Sequence, residues 1–214
     1  MNSRIAVAIT PAALALPLLA FVVMRQAPSI DPVWAEPTVH FWVVSLCTVI
    51  SAGIATGLAL CIRSVRTTRT VYLALGFVGV AAIFATHGLS TPGFIVPVTE
   101  QPYAVVISAG LSQIVGAAFI ALSVMPTRSR AGRLVERIRV PVVAVALAAI
   151  GTYVYVAMAD PERLEFIPIS RRWDGLLAAG TMLMLGYSAY RYWRAWRLTR
   201  FPAQAAMVCA LVLL

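Results

Sequence analysis

The chain lacks lysine altogether, although it carries a net charge of +9; all 17 of its basic residues are arginine. We read this as composition of the underlying genome rather than as function. Charge of either sign is scarce, at 12% of 214 residues, while 61% are hydrophobic and the mean hydropathy is +0.87. No Asp, Glu, Arg or Lys lies well inside an apolar run. Proton-coupled transporters and ion pumps need such groups in the bilayer, so that class loses weight. Cysteine is limited to Cys47, Cys61 and Cys209, each in an apolar run and with no CxxC pair. They read as small buried residues rather than as a disulfide or metal set. Histidine is limited to His40 and His87. No constellation of a catalytic site is present, so the region is expected not to be an enzyme.

What the chain has instead is apolar runs of about 20 residues, the length of a helix that crosses ~30 Å of hydrocarbon at ~1.5 Å per residue. The runs are apolar on every face, which excludes the alternation of a β-barrel. The expected class is all-α: one polytopic transmembrane helix bundle over residues 1–214. The runs are Ile5 to Met24, His40 to Ile62, Val71 to about Leu89, Tyr103 to Met125, Val140 to Met158 and Trp173 to Tyr190. A seventh starts near Pro202 and stops at Leu214. As a helix it covers roughly 20 Å, too short to cross. The expectation is therefore six full spans plus a truncated seventh. Ile5 to Met24 is too long for a signal-peptide core and lacks a small-x-small site, so it reads as an uncleaved span kinked at Pro11 and Pro17.

Charge orients the bundle. Arg4 and the segments after the second, fourth and sixth runs hold thirteen arginines against Glu136, a balance of +12; the remaining segments hold four arginines against seven acids, −3. By the positive-inside rule the N-terminus is cytoplasmic, with arginine-rich cytoplasmic loops. Aromatic residues fit this as an interfacial belt: Trp34, Trp42, Tyr103, Tyr155 and Trp173 at the external edge, and Tyr72, Tyr190, Tyr192, Trp193 and Trp196 at the internal edge. The segment "RYWRAWRLTR" is explained by snorkelling arginines and belt tryptophans rather than by nucleic acid.

His40 opens the second run and His87 closes the third, so two antiparallel helices place both imidazoles at one depth on the external side. Three readings stay open. Each ring caps a helix end or meets water; or the pair holds haem iron or copper; or it senses pH. Thr91, Pro92 and Gly93 form the turn that ends the third helix, with Gly93 supplying positive φ. Gly53 and Gly57 form a GxxxG, and Ser108, Ser112 and Gly116 a small-residue stripe; both suit close helix packing. Gln113 is the one candidate polar site in the bilayer core.

The motifs "HFWVVS" and "FATHGLSTPG" resemble the N-terminal multi-spanning region of bacterial signalling proteins. There, membrane helices precede a cytoplasmic adenylate or guanylate cyclase, histidine kinase or diguanylate cyclase. The resemblance runs from about residue 30 onward and rests on His40, Phe41, Trp42, His87, Gly88, Thr91, Pro92 and Gly93. It implies a sensory or anchoring module with a C-terminal output domain outside this chain, and no ligand comes with it. The expected partners are the lipid bilayer and that output domain, with a homodimer as an option. A small haem or copper redox protein, or a small transporter, are the alternatives.

Overall fold

A computed structural model describes residues 37–65, 67–93, 103–166 and 171–213, together with Leu19 and Val23. Apart from those two helical, exposed positions, the first run lies outside the described residues, as do Trp34 and most of the loop between residues 91 and 102. The regular elements are helical: α1 (Pro37–Ser64), α2 (Thr68–Leu89), α3 (Tyr103–Ser123), α4 (Arg130–Arg137), α5 (Arg139–Ala159), a 3-10 turn (Pro161–Phe166), α6 (Arg171–Thr199) and α7 (Pro202–Leu213).

Four of these, α1, α2, α3 and α5, have the length and composition to cross a membrane. They correspond to the second to fifth apolar runs. The sixth run becomes α6, which is long enough but is not among the four. Gly180, Gly186, Tyr187, Ser188 and Tyr190 dilute its apolar stretch, and Arg191, Arg194 and Arg197 follow.

Helix ends follow local chemistry. The Thr67 side chain accepts from Thr70 N–H at 3.3 Å and starts α2. At its other end the Thr91 hydroxyl donates to the His87 carbonyl at 3.1 Å, and Gly93 turns the chain at φ 89°. The residues between the fourth and fifth runs, read from sequence as a loop, contain α4. Ser129 caps it by accepting from Gly132 N–H at 2.9 Å, and its charged face is Arg130, Arg133, Glu136 and Arg137. Helix α6 ends where Arg200 takes φ 53° and its N–H donates to the Trp196 carbonyl at 2.7 Å; Pro202 then opens α7.

Helices α2 and α3 form the centre. They lie close because glycines leave room: a Cβ on Gly116 would meet Val80 Cγ2 at 2.6 Å, and one on Gly79 would meet Val115 Cγ1 at 2.5 Å. Ser108 and Ser112 are buried on the same stripe. Helices α1 and α5 pack on α2, α6 on α3, and α7 on α6. One apolar cluster joins Ala117, Ile120 and Val124 of α3 to Leu185, Ala189 and Tyr192 of α6 and Leu211 of α7. Another, at the opposite end, joins Ala104, Ala157 and Leu164.

The outer surface is apolar. Trp42, Leu46, Val49, Val140, Val145, Leu183 and Leu198 are all more than half exposed. Water would penalise this, and hydrocarbon does not. Ser51, Thr86, Ser108, Ser112, Ser123, Thr181 and Ser188 are buried instead, and the chain is a membrane protein.

Several residues sit elsewhere than the sequence suggested. Gly53 and Gly57 face outward with open space beside them; α1 packs on α2 through Val44, Ser51 and Ala55 instead. The GxxxG therefore mediates no contact among the described residues. Cys47 and Cys61 are exposed rather than buried, and the Cys209 side chain lies outside the description. Tyr72 and Tyr192 are not belt residues. Both are buried, and the Tyr72 hydroxyl donates to the Val135 carbonyl at 3.0 Å, tying α2 to α4. Trp42, Tyr155, Tyr190 and Trp193 are exposed as a belt requires.

Candidate functional site

Helix α1 begins at Pro37, so His40 lies in its first turn; His87 lies in the last turn of α2. The antiparallel pairing of α1 and α2 therefore brings them to one level. The two Nε2 atoms are 3.0 Å apart, and the rings meet edge-on with an interplanar angle of 71°. His40 is half-buried and His87 is 7% exposed.

His87 is held from three directions. Its Nδ1–H donates to the Val105 carbonyl of α3 at 2.7 Å. Its ring stacks on Phe84, three residues earlier on the same helix face, at 5.4 Å and 6°. Its own carbonyl accepts from Thr91. Gly88 beside it has Val44 Cγ1 where a Cβ would come within 3.0 Å, so glycine permits α1 to press against α2 here.

The bond to Val105 fixes the tautomer. With its proton on Nδ1, neutral His87 turns a bare Nε2 lone pair toward His40, whose Nε2–H donates to it. The result is a continuous chain of hydrogen bonds, His40 to His87 to Val105, through α1, α2 and α3. A backbone carbonyl on the far nitrogen is also the arrangement that aims a histidine at a metal.

Geometry separates the ligand options. Nitrogens 3.0 Å apart and each about 2 Å from one ion subtend roughly 95° at it. That suits adjacent corners of a square-planar or octahedral ion, such as copper(II) or nickel(II). A haem iron between two rings needs them about 4 Å apart and on opposite sides. In this arrangement the pair does not hold a haem. No group of three or more His, Cys, Asp or Glu forms among the described residues, so the two imidazoles are the donors that those residues supply there.

The other sequence candidates stay apart from the pair. Thr91 belongs to it through its cap, and Pro92 and Gly93 form the turn beyond. Gln113 is exposed on α3 rather than turned into a helix interface. Ser108, Ser112 and Gly116 line the α2–α3 contact, and Ser108 also hydrogen-bonds Tyr153 of α5 at 2.6 Å. Sequence reasoning missed Val105, Phe84 and Tyr153. The Phe84 stack was legible in its spacing of three from His87. A backbone carbonyl leaves no signal in residue type.

Compared with known protein families, curated proteins and solved structures, the chain matches none.

Proposed function

We propose that the chain is a membrane-embedded sensory or anchoring module of a bacterial signal-transduction protein. In this reading it has six full spans and a partial seventh, with its N-terminus in the cytoplasm. It sits in the inner membrane and is joined to a cytoplasmic output domain, and the region itself is not an enzyme. One observation supports it most: the His40–His87–Val105 hydrogen-bond chain, which makes the mutual position of three helices depend on the state of two imidazoles. A second proton, or a metal ion taking both Nε2 lone pairs, would break the direct contact. The ends of α1 and α2 would then shift against α3 by a small amount, the scale on which packed helices pass signals.

The test is a distance measurement across the pair. Spin labels at the exposed positions Leu46 and Val106, in a cysteine-free background in nanodiscs, report the α1–α3 separation. The expected result is a change on acidification or on adding copper(II), absent in His87→Ala. A separation indifferent to both stimuli refutes the sensor.

The copper reading is the second. It is favoured by the cis angle and by the carbonyl-anchored His87. Equilibrium dialysis with copper(II) should then give one bound ion per chain, lost in either alanine variant.

A further inference from the structure

At the opposite end of α2 from the histidines, α2, α3, α4 and α6 border a half-open cavity of about 280 Å³. Its polar lining includes Thr68 and Arg69 from the start of α2, Thr127 from the turn after α3, and Arg191 from α6. Among the described residues, no carboxylate lines it. Arg191 is half-buried and makes no ion pair, hydrogen bond or ring contact among the described residues. Arg69 is set over the Tyr192 ring at 4.9 Å, a contact that fixes its guanidinium without neutralising it. The single ion pair among the described residues, Arg163 with Asp160, is beyond the other end of the bundle.

Two cations that share a cavity at the rim of an apolar bundle repel each other, and the half-buried Arg191 is partly desolvated while Arg69 is exposed. An anion with several acceptor oxygens removes both penalties, and the guanidinium fork is built for phosphate. The first-turn N–H groups of Thr68 and Arg69 add donors, because Thr67 already serves Thr70 and Val71. We propose that this cavity binds a phosphate-bearing anion through Arg69 and Arg191, with the Thr68 and Thr127 hydroxyls as further donors. The phosphate is either a lipid headgroup, as basic pockets between membrane helices accept, or that of a soluble phosphate. The site is independent of the histidine pair and of the sensor reading.

The experiment uses the full chain with two probes. Phosphatidylglycerol is offered in mixed nanodiscs with phosphatidylcholine, and lipid retained on transfer to neutral detergent is counted by native mass spectrometry. Inorganic phosphate is titrated calorimetrically against the chain in pure phosphatidylcholine nanodiscs. At least one probe should bind saturably. Arg69→Gln and Arg191→Gln should each weaken it by about tenfold or more, the loss expected for one charge-assisted hydrogen bond. Arg191→Lys, which keeps the charge, should recover part of that loss. Arg197→Gln should leave binding unchanged, since Arg197 stacks on Trp193 away from the cavity. Phosphatidylglycerol retained in competition with phosphatidylcholine, with no phosphate binding, assigns the site to lipid; phosphate binding assigns it to a soluble anion. The proposal is overturned if neither probe binds. It is equally overturned if all three glutamine variants weaken binding alike, which marks a diffuse basic surface.

Discussion

Removing the His87 imidazole should cost the bundle more than removing that of His40, because the two rings have unequal partners. His87→Ala deletes two hydrogen bonds, to Val105 and to His40, and a stacked contact with Phe84. The hydrogen bonds contribute about 0.5–1.5 kcal/mol each and the stack about 0.5–1.5 kcal/mol. The Val105 carbonyl is not orphaned, since it lies inside α3 and keeps its helical partner. The expected loss is therefore about 1.5–4.5 kcal/mol. His40→Ala deletes one hydrogen bond from a half-buried ring with access to water, and should cost about 1 kcal/mol. A double-mutant cycle isolates the contact between them. Interhelical hydrogen bonds in membrane proteins average about 0.6 kcal/mol, with about 1.7 at the top of the range. Reversible unfolding in mixed micelles, followed by circular dichroism, reads all four corners. Equal losses in the single variants, or a coupling energy of zero, would refute the relay through His87.

The remaining predictions concern packing and caps. Gly116→Ala should destabilise by about 1–3 kcal/mol in the same unfolding assay, because its Cβ meets Val80, whereas Gly53→Ala and Gly57→Ala should stay within about 0.5 kcal/mol. Ser129→Ala removes the cap of α4 and should cost about 1 kcal/mol, with faster amide exchange over residues 130–137. Tyr153→Phe and Ser108→Ala should each lose the α3–α5 hydrogen bond at a cost of about 0.6–1.7 kcal/mol, and the double variant should cost little more than one of them.

Much of the architecture was legible because one force dominates it. Runs of about 20 apolar residues must be helical in hydrocarbon, since no water is there to serve the backbone. The runs from His40, Val71, Tyr103 and Val140 accordingly became α1, α2, α3 and α5 with ends shifted by only a few residues. Thr91-Pro92-Gly93 ended α2 as the chemistry of proline and glycine requires. The "RYWRAWRLTR" segment likewise became helix as far as Thr199, with arginines stacked four residues on from Tyr190, Trp193 and Trp196. Hidden in the sequence were the positions whose role depends on facing. Every side of these helices is apolar, so periodicity does not tell a lipid face from a packed one. That is why Gly53 and Gly57 read like Gly116 but lie on the opposite kind of surface.

The sequence by itself determined that the chain is a bundle of membrane helices, which ends of them carry arginine, and that His40 and His87 share a level. These follow from hydropathy, charge and helix length, which are sums over residues. Tertiary structure alone decided that the two imidazoles touch, that Val105 sets which nitrogen faces which, that Tyr72 and Tyr192 are core, and that Arg69 and Arg191 share one cavity. Each of these depends on how far a helix is rotated about its axis. That rotation is fixed by a few close contacts, such as Gly116 against Val80 and Gly88 against Val44, rather than by composition.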